Sequence, residues 1–203
     1  MNGSAANRED PVAIEARQFR RHASRGRGAQ GDERAATDLV QLVAFVAAGV
    51  ECAVRVERVR EIIEVGFLRP HPAATGDLRG VIELQSGPAV VLDLGSRLGS
   101  GETEITRLSC ALALERPFHS ELPFALLVEY VRDLVAVPKL DLAPTPRLGG
   151  IPGTFGEVAR LPGRLLPVVD LDRLLTTADE ACAAAIAHEN PAPQVPGQRP
   201  INP

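Results

Sequence analysis

Residues 80–94 read GVIELQSGPAVVLDL, and residues 156–171 read GEVARLPGRLLPVVDL. In each stretch an apolar run meets a turn dipeptide, Ser86-Gly87 or Pro162-Gly163, returns as a second apolar run and ends in Asp-Leu. Gly accepts positive φ and Pro presets φ near the value that a turn needs. Because hairpins this short bury enough surface only within a larger sheet, the repeat predicts two small β units in one chain.

The other apolar segments also have the length of strands. Residues 39–46 are apolar at nearly every position, which predicts a strand covered on both faces, followed by a turn at Ala48-Gly49. Residues 53–57 alternate between apolar and polar side chains, as in a half-buried strand. Further strands are expected at residues 59–63, 105–114, 124–128 and 131–135. Many short strands separated by turn signals predict an all-β fold.

Two aspartates mark the expected helices. Asp93 is predicted to cap a single helical turn at residues 94–98, and Asp170 to start an alanine-rich helix at residues 171–188. The expected organisation is a disordered Arg/Gly/Ala-rich arm at residues 1–37, one folded domain at 38–178, and a helix end with a proline-rich disordered tail at 179–203.

Composition narrows the classes of partner. The chain has 203 residues, 45% of them hydrophobic, and a formal net charge of -4. A negative balance argues against nucleic acid, because phosphate binding needs a basic surface. The first ten residues are polar, and the longest apolar stretch, residues 39–50, is too short to span a bilayer. We therefore expect a cytoplasmic protein with no membrane insertion.

No arrangement of residues predicts a cofactor or a metal site. Cys52, Cys110 and Cys182 lie far apart, and the four histidines are equally scattered. Free cysteines are among the most buried residue types, so we expect three reduced thiols, two of them packed in strands.

Two features leave alternatives open. The arm carries an island at residues 11–22 that is able to form a short basic helix against a membrane or a partner, although a solvated arm is the preferred interpretation.

Asp93 and Asp170 each end a strand, as a phosphate-accepting aspartate would. However, no acidic pair follows the first strand and Lys139 is the chain's one lysine. Capping explains both aspartates, and the chain is expected not to be an enzyme.

The order of segments across residues 38–178 resembles that of the CheW-like domain family, the adaptor module of bacterial chemotaxis-type signalling arrays. No single segment is specific, but the combination is. The segments are the apolar first strand with Gly49, then residues 59–62, Gly80-Val81, Asp93-Leu94 with Arg97 and Gly99, residues 127–131, and residues 169–171 before Leu174-Leu175.

The resemblance implies a fold and a function. The fold would be two small five-stranded β-barrel subdomains packed together, with a C-terminal helix. Members of the family are non-enzymatic adaptors without cofactors. They couple a methyl-accepting chemoreceptor-type protein to a CheA-type histidine kinase.

The resemblance also implies which residues would meet each partner. Those falling in the receptor-binding region are Val59, Glu61, Val131 and Leu134. Those falling in the kinase-binding region are Ile62, Arg79 and Gly80. Each has a simpler interpretation as a core residue or a solvated charge, and Gly80 is expected to have a backbone reason, such as a bulge or a close approach.

One departure from the family pattern bears on the partners. Where the family has Asn-Leu-Arg-Gly at the first turn, this chain has residues 83–86, so Gln85 stands in place of the arginine and Glu83 in place of the asparagine. Both changes move the turn toward negative charge. An alternative function is therefore a divergent regulator or competitor that binds the kinase but not receptors.

Overall fold

The computed structural model describes residues 38–115, 122–145 and 153–189. The expected arm at 1–37 and the proline-rich tail from residue 190 lie outside these ranges.

Strands dominate the described residues. The strands are β1 Leu39–Ala47, β2 Val50–Arg55, β3 Val59–Glu64, β4 Leu78–Leu84, β5 Gly87–Asp93, β6 Cys110–Leu114, β7 Phe124–Val128, β8 Tyr130–Pro138, β9 Leu142–Pro144, β10 Phe155–Leu161 and β11 Arg164–Val169. The α-helices are α1 Leu94–Arg97, α2 Leu171–Leu174 and α3 Thr177–Glu189, and 3-10 turns occupy Val56–Arg58 and Lys139–Asp141.

The strands form two sheets. One has the order β8-β1-β2-β11-β10-β9 and the other β3-β6-β7-β5-β4. The expected all-β class is confirmed. The first sheet has six strands rather than five, because Leu142–Pro144, where no strand was expected, pairs with β10.

The two repeated hairpins lie in different sheets, β4–β5 in the five-stranded sheet and β10–β11 in the six-stranded one. Each carries a bulge at the start of its first strand, where Arg79 and Gly156 are the extra residues. Each ends in an aspartate, Asp93 or Asp170, whose side chain accepts a hydrogen bond from the first turn of the next helix. The sequence repeat is therefore a repeat of bulge, hairpin and cap.

Both faces of β1 are buried. Leu42 and Ala44 belong to the inner cluster of the six-stranded sheet. This cluster of buried side chains consists of Val40, Leu42, Ala44, Ala53, Val137, Ala159, Leu166 and Val168. The alternate residues Val43 and Phe45 lie outside that cluster yet are also fully buried. Since β1 lies against β7 of the other sheet, this second face packs between the sheets, and the expectation of a strand covered on both sides is confirmed.

Two elements are shorter than expected. The strand expected at 105–114 begins only at Cys110, because Ser109 donates its backbone N–H to Thr106 O at 3.1 Å and closes a turn there. The helix expected at 171–188 is two helices, since Leu175 is extended. Thr176 and Asp179 then form a reciprocal capping box that starts α3. The domain end expected at residue 178 therefore falls inside α3.

Candidate protein-interaction surface

Most residues singled out for binding lie on two edge strands. β3 is an edge of the five-stranded sheet and carries Val59, Glu61 and Ile62, whereas β8 is an edge of the six-stranded sheet and carries Val131 and Leu134. An edge strand leaves one row of backbone groups and its rim side chains available to other molecules.

The register of β8 shows which face Val131 and Leu134 share. Val131 pairs with Phe45, and Leu134 pairs with Val43. Directly paired residues point to the same face of a sheet. Phe45 and Val43 are the residues of β1 that are buried outside the inner cluster. The two β8 side chains therefore extend the face that packs between the sheets.

The register of β3 separates Glu61 from its neighbours. Val59 pairs with Leu114 and Ile62 with Leu112, and neither leucine belongs to the inner cluster of the five-stranded sheet. Glu61 pairs with Ala113, which does belong to it. Val59 and Ile62 thus share the face turned toward the other sheet, and Glu61 lies on the opposite face at the rim.

The exposed fraction of each side chain indicates which of these residues a partner could contact directly. Leu134 is 42% exposed, whereas Val59 is buried at 7%. Ile62 and Val131 are half-buried. Leu134 is therefore the most accessible apolar side chain of the set. Val59 is packed beneath the surface and offers a partner little contact area.

Gly80 has a backbone reason to be glycine. Its φ is +130°, and a Cβ there would lie 2.2 Å from the carbonyl oxygen of Arg69. Arg69 and Val81 exchange two backbone hydrogen bonds of 2.9 and 2.8 Å across this contact. The close approach expected from the sequence is confirmed, and it holds the β3–β4 connection against β4.

Arg79 belongs to a buried network around Asp93. Arg79 Nη1 donates to Asp93 Oδ2 at 2.7 Å, and Asp93 is fully buried. Thr103 donates to the same carboxylate through its backbone N–H at 2.8 Å and its hydroxyl at 2.6 Å. Ser96 N donates at 3.2 Å, so the predicted cap is confirmed. Four hydrogen bonds therefore occupy this carboxylate. A phosphate-accepting aspartate would need an exposed carboxylate, so the contacts of Asp93 fit a structural role.

Asp170 is likewise engaged as a cap. Its carboxylate accepts from Asp172 N at 3.2 Å and pairs with Arg173 Nε at 3.0 Å.

At the β4–β5 turn, where the sequence departs from the family pattern, the changes at positions 83 and 85 have different consequences. Gln85 is exposed between β4 and β5. Glu83 pairs with Arg69 at 3.5 Å, so its negative charge is compensated within the chain. The loss of the arginine at position 85 is the change that other molecules would meet.

Sequence reasoning missed an exposed aromatic residue. Phe67 is 76% exposed in the β3–β4 connection and lines an apolar groove with Ile63, Val81 and Ile82. The available signal was one phenylalanine directly after Gly66, between two strands.

The three thiols differ in their exposure to solvent. Cys52 in β2 and Cys110 in β6 are buried, as expected, and Cys182 in α3 is partly exposed. Burial, helped by the adjacent carboxylate of Glu51, raises the pKa of Cys52 to about 12.

The described ranges contain neither a metal-binding cluster nor a membrane-spanning helix. Within them, no cluster of three or more His, Cys, Asp or Glu side chains is placed to hold a metal ion. None of the helices in the described part has both the length and the apolar character that crossing a membrane requires.

The family model of the CheW-like domain matches residues 41–179, from β1 into α3. The chain belongs to the CheW-like domain family. The match spans both sheets, both repeated hairpins and the capped helices that follow them.

Two relatives agree with the CheW-like assignment. Chemotaxis protein CheW of Rhizobium meliloti (strain 1021) is 28% identical over 145 residues, which are 70% of this chain and 92% of that protein. The crystal structure of the scaffolding protein TtCheW from Thermoanaerobacter tengcongensis superimposes with a TM-score of 0.62 at 18% identity, covering 69% of this chain and 94% of that one. The second likeness concerns the fold.

Proposed function

We propose that this protein is a non-enzymatic adaptor of the cytoplasm that couples a chemoreceptor-type signalling protein to a CheA-type histidine kinase in a chemotaxis-like pathway. The observation that carries the proposal is the CheW-like match across residues 41–179. The names of the two relatives, a chemotaxis protein and a scaffolding protein, support it.

The receptor side of the proposal uses the rim between the two sheets. Leu134 and Val131 extend the face of β8 that is turned toward the five-stranded sheet, and Val59 lies on the facing side of β3. A helical receptor tip would lay its apolar face on this rim, which is a common mode of peptide recognition. Glu61, on the outer side of β3, would supply a charged contact at its border.

The kinase side uses the surface beside β3 and β4. Ile62 would be an apolar contact there. Gly80 and Arg79 would act by shape, because Gly80 admits the close approach of Arg69, and Arg79 is bound to buried Asp93. The groove of Phe67 adjoins this region through Ile63 and Val81.

Apolar contacts of this kind favour an adaptor over an enzyme. Each contact need only be moderate, since an array of linked contacts gains avidity without any new interaction.

A second candidate function follows from Gln85. The exposed turn lacks the family's arginine, and charged hydrogen bonds are about twice as strong as neutral ones. Loss of that charge favours a regulator that binds the kinase but no receptor.

Co-purification with two purified fragments tests the proposal, one a receptor cytoplasmic tip and the other a kinase regulatory domain. The wild-type chain is expected to bring down both. Leu134→Asp is expected to weaken receptor capture, and Ile62→Asp kinase capture, by about thirtyfold, which corresponds to the loss of about 2 kcal/mol at an anchor residue.

Leu140→Asp is the matched control, because Leu140 is 79% exposed and belongs to neither set. Capture of the kinase alone by the wild-type chain would favour the second candidate. Capture of neither fragment would refute both functions. Unchanged capture by folded Leu134→Asp and Ile62→Asp would refute the assigned surfaces.

A further inference from the structure

β8 offers an open strand edge. In the described part of the chain it pairs with β1 on one side and is the last strand of its sheet on the other. Residues 130–136 are exposed or half-buried, and the first buried residue of the strand is Val137. An open edge of this length can pair with a further strand through backbone hydrogen bonds.

A bulge in β8 changes which of its residues share a face. In the pairing with β1, the register skips Arg132, which is therefore the extra residue of the bulge. In an unbulged strand, residues three apart lie on opposite faces. Across this bulge, Val131 and Leu134 share one face of the sheet, and Tyr130 and Val135 share the other.

This spacing makes the segment complementary to a second copy of itself. If two antiparallel copies of β8 place Arg132 of each opposite Asp133 of the other, each apolar cross-strand pair joins residues of one face, as directly paired residues must. The apolar pairs are Val131 with Leu134 and Tyr130 with Val135. Because such a contact is two-fold symmetric, every pair, including the ion pair, forms twice.

Charge and strand geometry both disfavour the two neighbouring registers. A shift by one residue in one direction sets Arg132 opposite its own copy, and a shift in the other direction sets Asp133 opposite its own copy. Like charges directly opposite each other are destabilising. Either shift also sets Val131 opposite a residue of the other face.

Both charges are available for an external contact. The side chain of Arg132 is 52% exposed and reaches Glu51 at 3.6 Å, and that of Asp133 is 48% exposed and reaches Arg164 at 3.7 Å. Glu51 and Arg164 pair more closely with each other, so they hold Arg132 and Asp133 only loosely.

We propose that β8 pairs antiparallel with β8 of a second copy of this chain, in the register that sets Arg132 against Asp133. The pairing uses Val131 and Leu134, so self-association would compete with the receptor for the same surface. The dimer itself requires neither a receptor nor a kinase, and its test is independent of the function proposed above.

Sedimentation equilibrium of the full chain at increasing concentration measures the association. The wild-type mass is expected to rise toward that of a dimer. Arg132→Glu and Asp133→Arg should each weaken the dimer by about tenfold or more, because both symmetric pairs become like-charged. An equal mixture of the two variants should associate again, since opposite charges then face each other. Arg107→Glu, at an exposed position in the α1–β6 connection, is the matched control and should associate like wild type.

Three results would overturn the proposal. A wild-type chain that stays monomeric at about 1 mM, where even weak pairs form, would show that the bulge and the charges protect the edge instead. Unchanged association of both single variants would place the contact elsewhere. Single variants that are folded by circular dichroism and monomeric, yet do not associate when mixed, would refute the pairing of Arg132 with Asp133.

Discussion

Arg97 donates hydrogen bonds to both carboxylate oxygens of Asp179, at 2.8 and 3.2 Å. The same guanidinium reaches Asp77 at 2.6 Å and the carbonyl oxygen of Leu174 at 2.6 Å. Arg97 ends α1, which follows the hairpin of one sheet, and Asp179 lies in α3, the second helix after the hairpin of the other. One side chain therefore ties together the ends of both repeats.

We predict that Arg97→Met lowers the free energy of unfolding by about 3 kcal/mol, because it leaves the carboxylate of Asp179, 8% exposed, buried without a cation. Burial opposes the charge of Arg97, but its hydrogen bonds to Asp179 and Asp77 outweigh burial and raise the pKa of Arg97. Urea unfolding followed by circular dichroism measures the change.

The control for this experiment is Arg173→Gln. Arg173 is 63% exposed in its pair with Asp170, so its replacement should cost less than about 1 kcal/mol. Equal losses for the two variants would contradict a structural role specific to Arg97.

Gly80→Ala should also destabilise the fold, by about 3 kcal/mol, since the new Cβ meets the Arg69 carbonyl and the positive φ is strained. Gly163→Ala separates the two effects, because Gly163 has φ +76° with open space around it. We expect it to cost only about 1 kcal/mol. Urea titrations of both variants decide the matter. A loss at Gly80 no larger than that at Gly163 would show that the close approach is not required.

The pair of Arg58 and Asp172 predicts a dependence on pH. The hydrogen bond from Arg58, at 2.7 Å, lowers the pKa of Asp172 in the folded protein. The stabilisation is therefore fully present above the unfolded pKa of Asp172 and is lost as pH falls through its folded pKa.

Urea unfolding of wild type and Asp172→Asn at several pH values measures this contribution. The variant should be less stable near neutral pH, and the gap should close in acid. A gap that widens as pH falls would have the wrong sign. In Arg58→Met, the Asp172 carboxylate should titrate closer to its ordinary pKa by nuclear magnetic resonance.

Thiol labelling of the native protein should proceed in two phases. Cys182 is partly exposed and should react first, whereas Cys52 is fully buried and has its pKa raised to about 12, so little thiolate is present at neutral pH. Cys182→Ser should remove the fast phase, and urea should release the slow one. Rapid labelling of Cys52 in the folded chain would contradict its placement in β2.

Local patterns predicted the elements that depend on local chemistry. The hairpins at residues 80–94 and 156–171, the cap at Asp93 and the doubly covered first strand all follow from turn dipeptides, periodicity and capping residues. The break at Leu175 was missed because the alanine-rich composition beyond it continues the helical pattern. The capping box of Thr176 and Asp179, which starts a second helix, is a weaker signal.

The candidate surface rests on the family resemblance, and the residue pattern alone does not define it. Strand alternation alone does not say that Leu134 is 42% exposed while Val59 is 7% exposed, because that depends on which strand forms the edge of a sheet. Phe67 was missed because its exposure also depends on a tertiary contact. Its exposure depends on how the β3–β4 connection crosses β4 beside Gly80, a contact that the linear sequence does not contain.

The parallel pairing of Ala53 with Val168 has a consequence for the order of folding. The five-stranded sheet uses one continuous segment, residues 59–128, so it can form while the ribosome is still adding the later strands. The six-stranded sheet must wait, because β2 finds its neighbour β11 only after more than a hundred further residues are synthesised, and such distant partners close slowly. Until then the edge of β2 that will pair with β11 stays unpaired, even after β8 has joined β1 on the other side, and an unpaired edge is open to pairing with other chains.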